Sequence, residues 1–265
     1  MILFKYYGPG PGLAALRSRK LGFSTPAHFN DPFELTALSN GDGPLSKQNM
    51  LRQKIEQLKE QVVILSLTRS PSNPLMWAHY GQQHTGMVIA YEVGGLFLNS
   101  PEYNLVPADA GDVIYTHTKS PFLLTPETME VLDRVYQQGF GAPGETTFEQ
   151  QALARRLFLT KHASWVYEEE VRIVKIAANL FRSQAEVWED LNCRYRIGDE
   201  LPDGLHLFEP KVPIHSVYLG AKNTMLEEPN IKSELANLGC PILKQEVSNT
   251  SWQLEDKLVI PAVMA

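Results

Sequence analysis

The sequence predicts an α+β fold: a single domain with a mixed, mostly antiparallel central sheet and flanking helices. Three observations lead to this prediction. The chain has 265 residues, 43% hydrophobic and 20% charged, which is typical of an ordinary globular protein. Segments with strand and helix periodicity follow one another without the regular alternation of a doubly wound sheet. Because no repeat and no composition break marks a linker, we expect residues 1–265 to form one domain.

Seven segments are predicted as strands, because their residues alternate in polarity or form short runs rich in Val, Ile and Leu. In chain order they are residues 2–6, 21–24, 62–68, 87–93, 166–176, 217–220 and 258–260. The first alternates large apolar side chains around Lys5. In the fifth, alternation places Glu168, Glu170 and Arg172 on one face, with the two acids about 7 Å apart.

Helical spacing of apolar residues predicts the helices, which are residues 13–20, 44–61, the end of segment 71–81, 125–138, 147–158 and 231–238. The Gly-Pro-Gly-Pro-Gly run 8–12 is predicted as a turn. Ser46 is the expected N-cap of the second helix. Pro126 at the first helical position and Glu127 in the first turn favour the start of the fourth. Gly239 ends the last one.

Composition and charge exclude several classes of protein. The net charge of −6 argues against a general binder of nucleic acid or anionic membranes. The longest apolar run, residues 62–67, is far shorter than the roughly 20 residues that span a bilayer. We expect no signal peptide and a cytoplasmic protein, in which Cys193 and Cys240 are buried free thiols. The sequence contains no P-loop, GxGxxG, HExxH, CxxC or GxSxG motif, so common nucleotide, zinc and hydrolase sites lack their signatures.

Charge is distributed unevenly along the chain. Residues 70–91 contain no Asp, Glu, Lys or Arg, yet hold Trp77, His79, Tyr80 and His84. Aromatic faces can hold a flat ring, and a neutral histidine can position a hydroxyl or a phosphate. The same residues equally fit core anchors with satisfied histidines, so both interpretations stay open here.

Residues 161–175 show the opposite extreme, with six charged residues in fifteen. If the face carrying Glu168 and Glu170 points inward, at least one acid needs Arg172, Lys161 or a ligand hydroxyl as a partner. A solvated edge face is the alternative. The segment 30–34, Asn-Asp-Pro-Phe-Glu, is open in the same way, because Asx-Pro segments also form turns.

Eight short motifs occur in order along the first 222 residues. They are Phe4-Lys5-Tyr6, Phe23-Ser-Thr-Pro26, Phe29-Asn-Asp-Pro-Phe-Glu34, Leu65-Ser-Leu-Thr68, Met76-Trp-Ala-His-Tyr80 with His84 and Gly86, Lys161 with Trp165, Glu168-x-Glu170-Val-Arg172, and Leu219-Gly220. As a set they resemble a widespread bacterial family catalogued as a domain of unknown function, number 2971. The resemblance covers about residues 1–222 and leaves 223–265 as a C-terminal helix and strand extension. The family name implies no activity.

The order of these motifs is also similar to that of ADP-ribosyltransferases. Those enzymes have an Arg or His on an early strand, a Ser/Tyr-centred motif that shapes the nicotinamide pocket, and a late-strand Glu that polarises the ribose hydroxyl. Here Lys5-Tyr6 comes early, Ser24-Thr25 and the Trp77/Tyr80 cluster follow, and Glu168-x-Glu170 comes late. Lys5 stands in place of Arg or His, and the chain has no unambiguous Ser-Thr-Ser.

This similarity implies an NAD-utilising transferase or glycohydrolase that acts without a metal, in bacterial conflict or phage defence. NAD is the expected substrate, and the acceptor, protein or nucleic acid, stays open, as does the oligomeric state. The expected catalytic residues are Glu170, Glu168 and His84. Trp77 and Tyr80 would form an aromatic shelf, and Lys5 and Arg172 would meet the diphosphate. The full set of expected substrate-binding residues is Lys5, Tyr6, Asn30, Asp31, Glu34, Trp77, His79, Tyr80, Lys161 and Arg172.

Two other functions compete with this one. A metal-dependent phosphodiesterase or nuclease would use Asp31, Glu34, Glu168 and Glu170 as hard oxygen ligands. A non-catalytic sensor would use the aromatic residues to recognise a nucleotide or a peptide.

Overall fold

A computed structural model describes residues 1–39, 44–101, 104–122, 125–139, 147–176, 195–196, 202–208 and 212–262. Within these residues the predicted α+β class, with a mixed and mostly antiparallel central sheet, is confirmed. Cys240 is buried and free, whereas Cys193 lies outside the described residues. None of the described helices is both long and apolar enough to cross a membrane.

The strands are β1 (Ile2–Tyr7), β2 (Leu21–Ser24), β3 (Leu38–Ser39), β4 (Val62–Thr68), β5 (Met87–Glu92), β6 (Ile114–Thr116), β7 (Ser120–Pro121), β8 (Thr160–His162), β9 (Glu170–Ile176), β10 (Tyr195–Arg196), β11 (Leu205–Phe208), β12 (Ile214–Leu219), β13 (Ile242–Val247) and β14 (Leu254–Ile260). The α-helices are α1 (Pro9–Ser18), α2 (Leu45–Gln61), α3 (Pro74–His79), α4 (Leu96–Asn99), α5 (Pro126–Gly139), α6 (Phe148–Phe158) and α7 (Pro229–Ala236). Short 3-10 helices cover Pro26–His28, Ala108–Ala110, Ala163–Glu168 and Met225–Glu227.

The central sheet has the strand order β10-β11-β2-β4-β1-β5-β12-β13-β14, and β9 also pairs with β4. Its pairs are antiparallel except for β12 and β13, which are parallel. Two small parallel pairs lie outside it, β3 with β7 and β6 with β8. The central sheet therefore joins strands from both ends of the chain.

The central sheet forks at β4. Strand β9 pairs with β4 along its whole length, so it occupies one of the two edges that any strand has. Both β1 and β2 pair with the other edge, where Phe4 lies opposite Thr68 and Ser24 lies opposite Ile64. Apart from these single contacts, β1 pairs with β5 and β2 pairs with β11. The two branches thus diverge from one central strand.

One face of β4 and β9 changes from apolar to polar towards the β1 branch of the fork. Side chains two apart on a strand share a face, and on this face Ile64 packs into a core with helices α2, α5 and α6. Further along, Ser66 lies opposite Arg172 and Thr68 lies opposite Glu170. On the other face of both strands, Val63, Leu65, Leu67, Val171 and Ile173 belong to the largest core cluster, and the buried Lys175 lies opposite Val63. The polar end of the first face is where the candidate site lies.

Two predicted helix starts are wrong. Helix α1 begins at Pro9, inside the run that was predicted as a turn, because proline fits the first helical turn, where its missing N–H is not needed. Helix α2 begins at Leu45 with Pro44 at the cap, and no side chain caps it. Ser46 is therefore inside the helix and is not its N-cap.

The predicted strand over 166–176 is also wrong in its first part. Residues Ala163–Glu168 form a 3-10 helix, and β9 begins only at Glu170. Between them Glu169 takes a left-handed conformation with φ 43°, which interrupts the extended backbone. Glu168 and Glu170 therefore do not share a strand face, although both side chains are buried.

We predict that Gly111→Ala destabilises the fold because Gly111 lies against the backbone of β9. Its carbonyl accepts the Arg172 N–H at 2.8 Å, and an added Cβ would lie 2.1 Å from the Arg172 carbonyl oxygen. We expect the free energy of unfolding to fall by about 1–3 kcal/mol, measured by denaturant titration. Gly94→Ala is the control, since a Cβ there meets nothing within 4 Å. Equal stability of the two variants would contradict the close packing of Gly111.

Candidate functional site

A cavity of about 510 Å³ lies at the fork of the sheet. Strands β1, β2 and β4 contribute to its lining. The loop after β2, the end of α3, β8, the 3-10 helix Ala163–Glu168, the start of β9 and residues 202–205 contribute as well. Its lining residues are Phe4, Lys5, Tyr6, Ser24, His28, Phe29, Asn30, Glu34, Ser66, Leu67, Thr68, Met76, Tyr80, Lys161, Glu168, Glu170, Arg172, Pro202, Asp203 and Leu205. The cavity therefore collects residues from distant parts of the chain.

Arg172 uses all its hydrogen-bond donors within the protein. Nε and Nη2 donate to the two carboxylate oxygens of Glu170 at 2.8 and 3.0 Å. Nη1 and Nη2 donate to the two oxygens of Glu34 at 2.9 and 2.6 Å. Nη1 also donates to the Phe158 carbonyl at 2.9 Å. A guanidinium has five N–H groups, so none is left for a ligand.

The predicted role of Arg172 as a partner for a diphosphate is therefore wrong. Its side chain is fully buried, and burial by itself would lower its pKa, but the facing carboxylates Glu170 and Glu34 raise that pKa above its ordinary value. Arg172 stays charged and holds two carboxylates in fixed positions. It is a positioning residue.

Lys161 lies among the same acids. Its Nζ is 2.6 Å from Glu168 Oε2, 3.4 Å from Glu170 Oε2 and 3.8 Å from Glu34 Oε1. Burial lowers the pKa of Lys161, and the nearby carboxylates outweigh this effect and raise it. We call Glu34, Lys161, Glu168, Glu170 and Arg172 the ion cluster. With three acids and two bases it carries a formal charge of −1 when all are ionised.

The environments of Glu168 and Glu170 move their pKa values in opposite directions. Burial raises the pKa of Glu168, against the opposing effect of Lys161, and Glu170 raises it further. Burial also acts on Glu170, but the charges of Arg172 and Lys161 outweigh it and lower the pKa to about 2. The Tyr80 hydroxyl donates a hydrogen bond of 2.6 Å to Glu168 Oε1. Neighbouring carboxyls with separated pKa values can divide acid and base roles.

Lys5 is the second lysine of the cavity. Its Nζ donates to the Ser66 carbonyl at 3.2 Å. Burial lowers the pKa of Lys5 to about 8, although the negative charge of Glu170 opposes that shift. In contrast to Lys161, Lys5 has no carboxylate within ion-pairing distance in the described part of the chain.

The cavity brings together nine of the residues predicted from sequence: Lys5, Tyr6, Asn30, Glu34, Tyr80, Lys161, Glu168, Glu170 and Arg172. Four others lie outside its lining. Asp31 accepts the Phe33 N–H at 2.9 Å, as expected for an Asx-Pro turn. His79 is exposed beside the rings of Tyr80 and Tyr167.

The structure corrects the prediction that Trp77 and Tyr80 together form an aromatic shelf, because Trp77 does not reach the cavity. Its ring is fully buried, donates from Nε1 to the Pro71 carbonyl at 2.8 Å and packs edge-on against Tyr6. His84 stacks on Trp77 away from the cavity, with 12° between the ring planes. Burial lowers the pKa of His84. Trp77 is a core anchor, so the ring that reaches the cavity from this segment is Tyr80.

Sequence reasoning missed several residues of the cavity. Phe4 and Phe29 supply aromatic lining, and Ser66 and Thr68 supply polar lining. The signal for the last two was available, because they are the polar residues within the apolar run of β4. Outside the lining, the Tyr115 hydroxyl on β6 accepts the backbone N–H of Glu170 at 2.8 Å, and no signal in the sequence pointed to this contact.

The carboxylates do not form the ligand set that the nuclease alternative requires. The described residues contain no group of three His, Cys, Asp or Glu side chains suited to a metal ion. Glu34, Glu168 and Glu170 face Arg172 or Lys161. Asp31, the fourth ligand in that alternative, lies outside the cavity lining.

Residues 76–173 match the model of a family described as "Protein of unknown function (DUF2971)". The predicted resemblance to DUF2971 is confirmed over residues 76–173, a shorter segment than the predicted one of about residues 1–222. The DUF2971 match includes Tyr80, Lys161 and the segment from Glu168 to Arg172, whereas Lys5 and Glu34 lie before it. No curated protein and no solved structure matches the chain.

We predict a specific pH dependence of stability for Glu170. Its pKa is lowered from 4.5 to about 2 in the folded protein, so its ionised form stabilises the fold above pH 4.5, and this contribution is lost as the pH falls towards 2. Glu170→Gln should cost about 3 kcal/mol at pH 7. We expect the difference from the unsubstituted protein to shrink between pH 5 and 3 in denaturant titrations.

The control is Glu169→Gln, which removes an exposed acid next to Glu170. It should change the free energy of unfolding little at any pH, as surface substitutions usually do. A constant difference between Glu170→Gln and the unsubstituted protein from pH 7 to 3 would contradict the lowered pKa.

Proposed function

We propose that this protein is an enzyme that breaks the glycosidic bond between nicotinamide and ribose in NAD, with the cavity as its active site. The observation that carries the proposal is the ion cluster of formal charge −1 that lines the cavity, in which an ionised Glu170 adjoins Glu168, a carboxyl of raised pKa. The ribosyl group would pass to water or to a protein or nucleic-acid acceptor.

The chemistry of the bond requires a negative environment. The nicotinamide ring of NAD is positively charged, and when its bond to ribose breaks the charge moves to the anomeric carbon as an oxocarbenium ion. A carboxylate that is already in place stabilises this charge without reorganisation. Glu170 meets that condition, because Arg172 holds both of its oxygens.

Proton transfer is needed only in the second step. Nicotinamide leaves as a neutral molecule with the bonding electrons, so the leaving group takes no proton. The acceptor hydroxyl then attacks the anomeric carbon and gives up its proton to a base. The ionised form of Glu168 suits this role, because a raised pKa makes a carboxylate a stronger base.

The size and lining of the cavity agree with such a substrate. Its volume of about 510 Å³ lies within the 300–1,000 Å³ common for small-molecule sites. Phe4, Phe29 and Tyr80 offer aromatic faces for the nicotinamide or adenine ring. The mechanism uses no metal, and NAD is a substrate in it.

The direct test is to incubate the protein with NAD and to measure the released nicotinamide by chromatography. We expect release by the unsubstituted protein and a decrease of about 100-fold or more for Glu170→Gln, the size of effect seen when one fixed electrostatic group is removed from an active site. Glu169→Gln is the matched control and should keep its activity, because its side chain is exposed. Circular dichroism of each variant checks that it is folded.

Other results separate the alternatives. No release by the folded, unsubstituted protein, or equal release by Glu170→Gln, would contradict the proposal. Saturable binding of NAD without release would favour the sensor.

Tyr80→Phe tests the role of Glu168. The Tyr80 hydroxyl bond lowers the pKa of Glu168, so its removal should raise that pKa further. Because the base must be ionised, we expect the acidic limb of the pH-activity profile to move to higher pH. The pH-activity profile is measured as the rate of nicotinamide release between pH 4 and 8. An unmoved acidic limb would exclude Glu168 as the base.

A further inference from the structure

The two lysines of the cavity have contrasting surroundings. Lys161 contacts three carboxylates within 3.8 Å and stays protonated. Lys5 donates one hydrogen bond to the Ser66 carbonyl at 3.2 Å and has no ion pair with the described residues. The glycosidic mechanism above leaves the Lys5 amine unused. Lys5 therefore lines the cavity with an amine that has no assigned role.

We infer that Lys5 forms an imine with the open-chain aldehyde of an aldose bound in the cavity. The inference rests on the proposed function for the identity of that aldose. Hydrolysis of a ribosyl bond to nicotinamide leaves a hemiacetal at the anomeric carbon, and its open-chain form is an aldehyde at the same carbon. Desolvated lysines are the usual partners for such carbonyl groups.

The reaction is balanced without any oxidant or reductant. The nitrogen lone pair attacks the aldehyde carbon, a C–N bond forms, and the carbonyl oxygen takes up a proton to give a carbinolamine. The nitrogen then loses a proton, the C–O bond breaks, and the hydroxyl leaves as water with one further proton. The net reaction joins an amine, an aldehyde and one proton to give a protonated imine and water.

Glu168 and Glu170 suit the two stages of this reaction, the loss of water and the formation of the protonated imine. Glu168 lines the same cavity, and its raised pKa allows it to carry the proton that leaves with water. The protonated imine is a cation, and the ionised Glu170 stabilises positive charge at this place. Burial lowers the pKa of Lys5 to about 8, so an appreciable fraction of its amine is neutral near pH 7.5.

Reductive trapping tests the inference. The full chain is incubated at pH 7.5 with D-ribose 5-phosphate and sodium cyanoborohydride, which reduces an imine to a stable secondary amine, and labelled peptides are mapped by mass spectrometry. We expect Lys5 to be labelled about 100-fold faster than exposed Lys232, because burial lowers the pKa of Lys5 to about 8, about two pH units below the ordinary value of a lysine. Lys161, which is ion-paired, should stay unlabelled. A second arm with ADP-ribose distinguishes a sugar phosphate from a dinucleotide product.

Two variants and a pH series complete the experiment. Lys5→Arg should lose the fast label, and Lys232→Arg should keep it. Labelling of Lys5 should rise steeply between pH 7 and 9 and then level off. Equal labelling of Lys5 and Lys232, or faster labelling of Lys161, would overturn the inference. The labelling map of the unsubstituted protein decides this even if Lys5→Arg fails to fold.

The readout is separate from that of the proposed function. Nicotinamide release without selective labelling of Lys5 would overturn the imine alone. Selective labelling by ribose 5-phosphate without nicotinamide release would overturn NAD cleavage and would leave an aldose-binding lysine in the cavity.

Discussion

The candidate site depends on one side chain, the fully buried guanidinium of Arg172. Its five N–H groups bind Glu34, Glu170 and the Phe158 carbonyl, so it connects β9 to the loop after β2 and to the end of α6. A buried charge is tolerated only when it is paired and hydrogen-bonded. Because every N–H donor of Arg172 has a partner, this arrangement fixes the positions of the Glu34 and Glu170 carboxylates.

The remaining features of the cavity follow from that arrangement. Two of the acids are matched by Arg172, and Lys161 is shared among all three, so one negative charge remains in excess. The fork of the sheet leaves an opening next to this charge, since β1 and β2 diverge from β4. Buried charges and an opening at the same place are the usual setting for perturbed pKa values and for binding or catalysis. Glu170, Glu168 and Lys5 show such perturbations.

Sequence reasoning identified the charged residues that need partners. Glu168, Glu170 and Lys161 were singled out because charged residues on a packed segment need partners, and the structure pairs them. It failed at Trp77, because an aromatic residue is equally suited to a core and to a ligand shelf. It failed at Arg172 for another reason: the number of donors already used by the protein depends on Glu34, which is 138 residues away in the chain.

The sequence by itself determined the class of fold, most of the long strands and helices, and the polarity of each segment, because these depend on local periodicity and propensity. Only the tertiary structure decided which strands are neighbours, where the sheet forks and which side chains meet in the cavity. Those features depend on contacts between residues far apart in the chain. The left-handed turn at Glu169 shows the same limit at short range, since the buried partners of Glu168 and Glu170 hold a conformation that strand alternation does not predict.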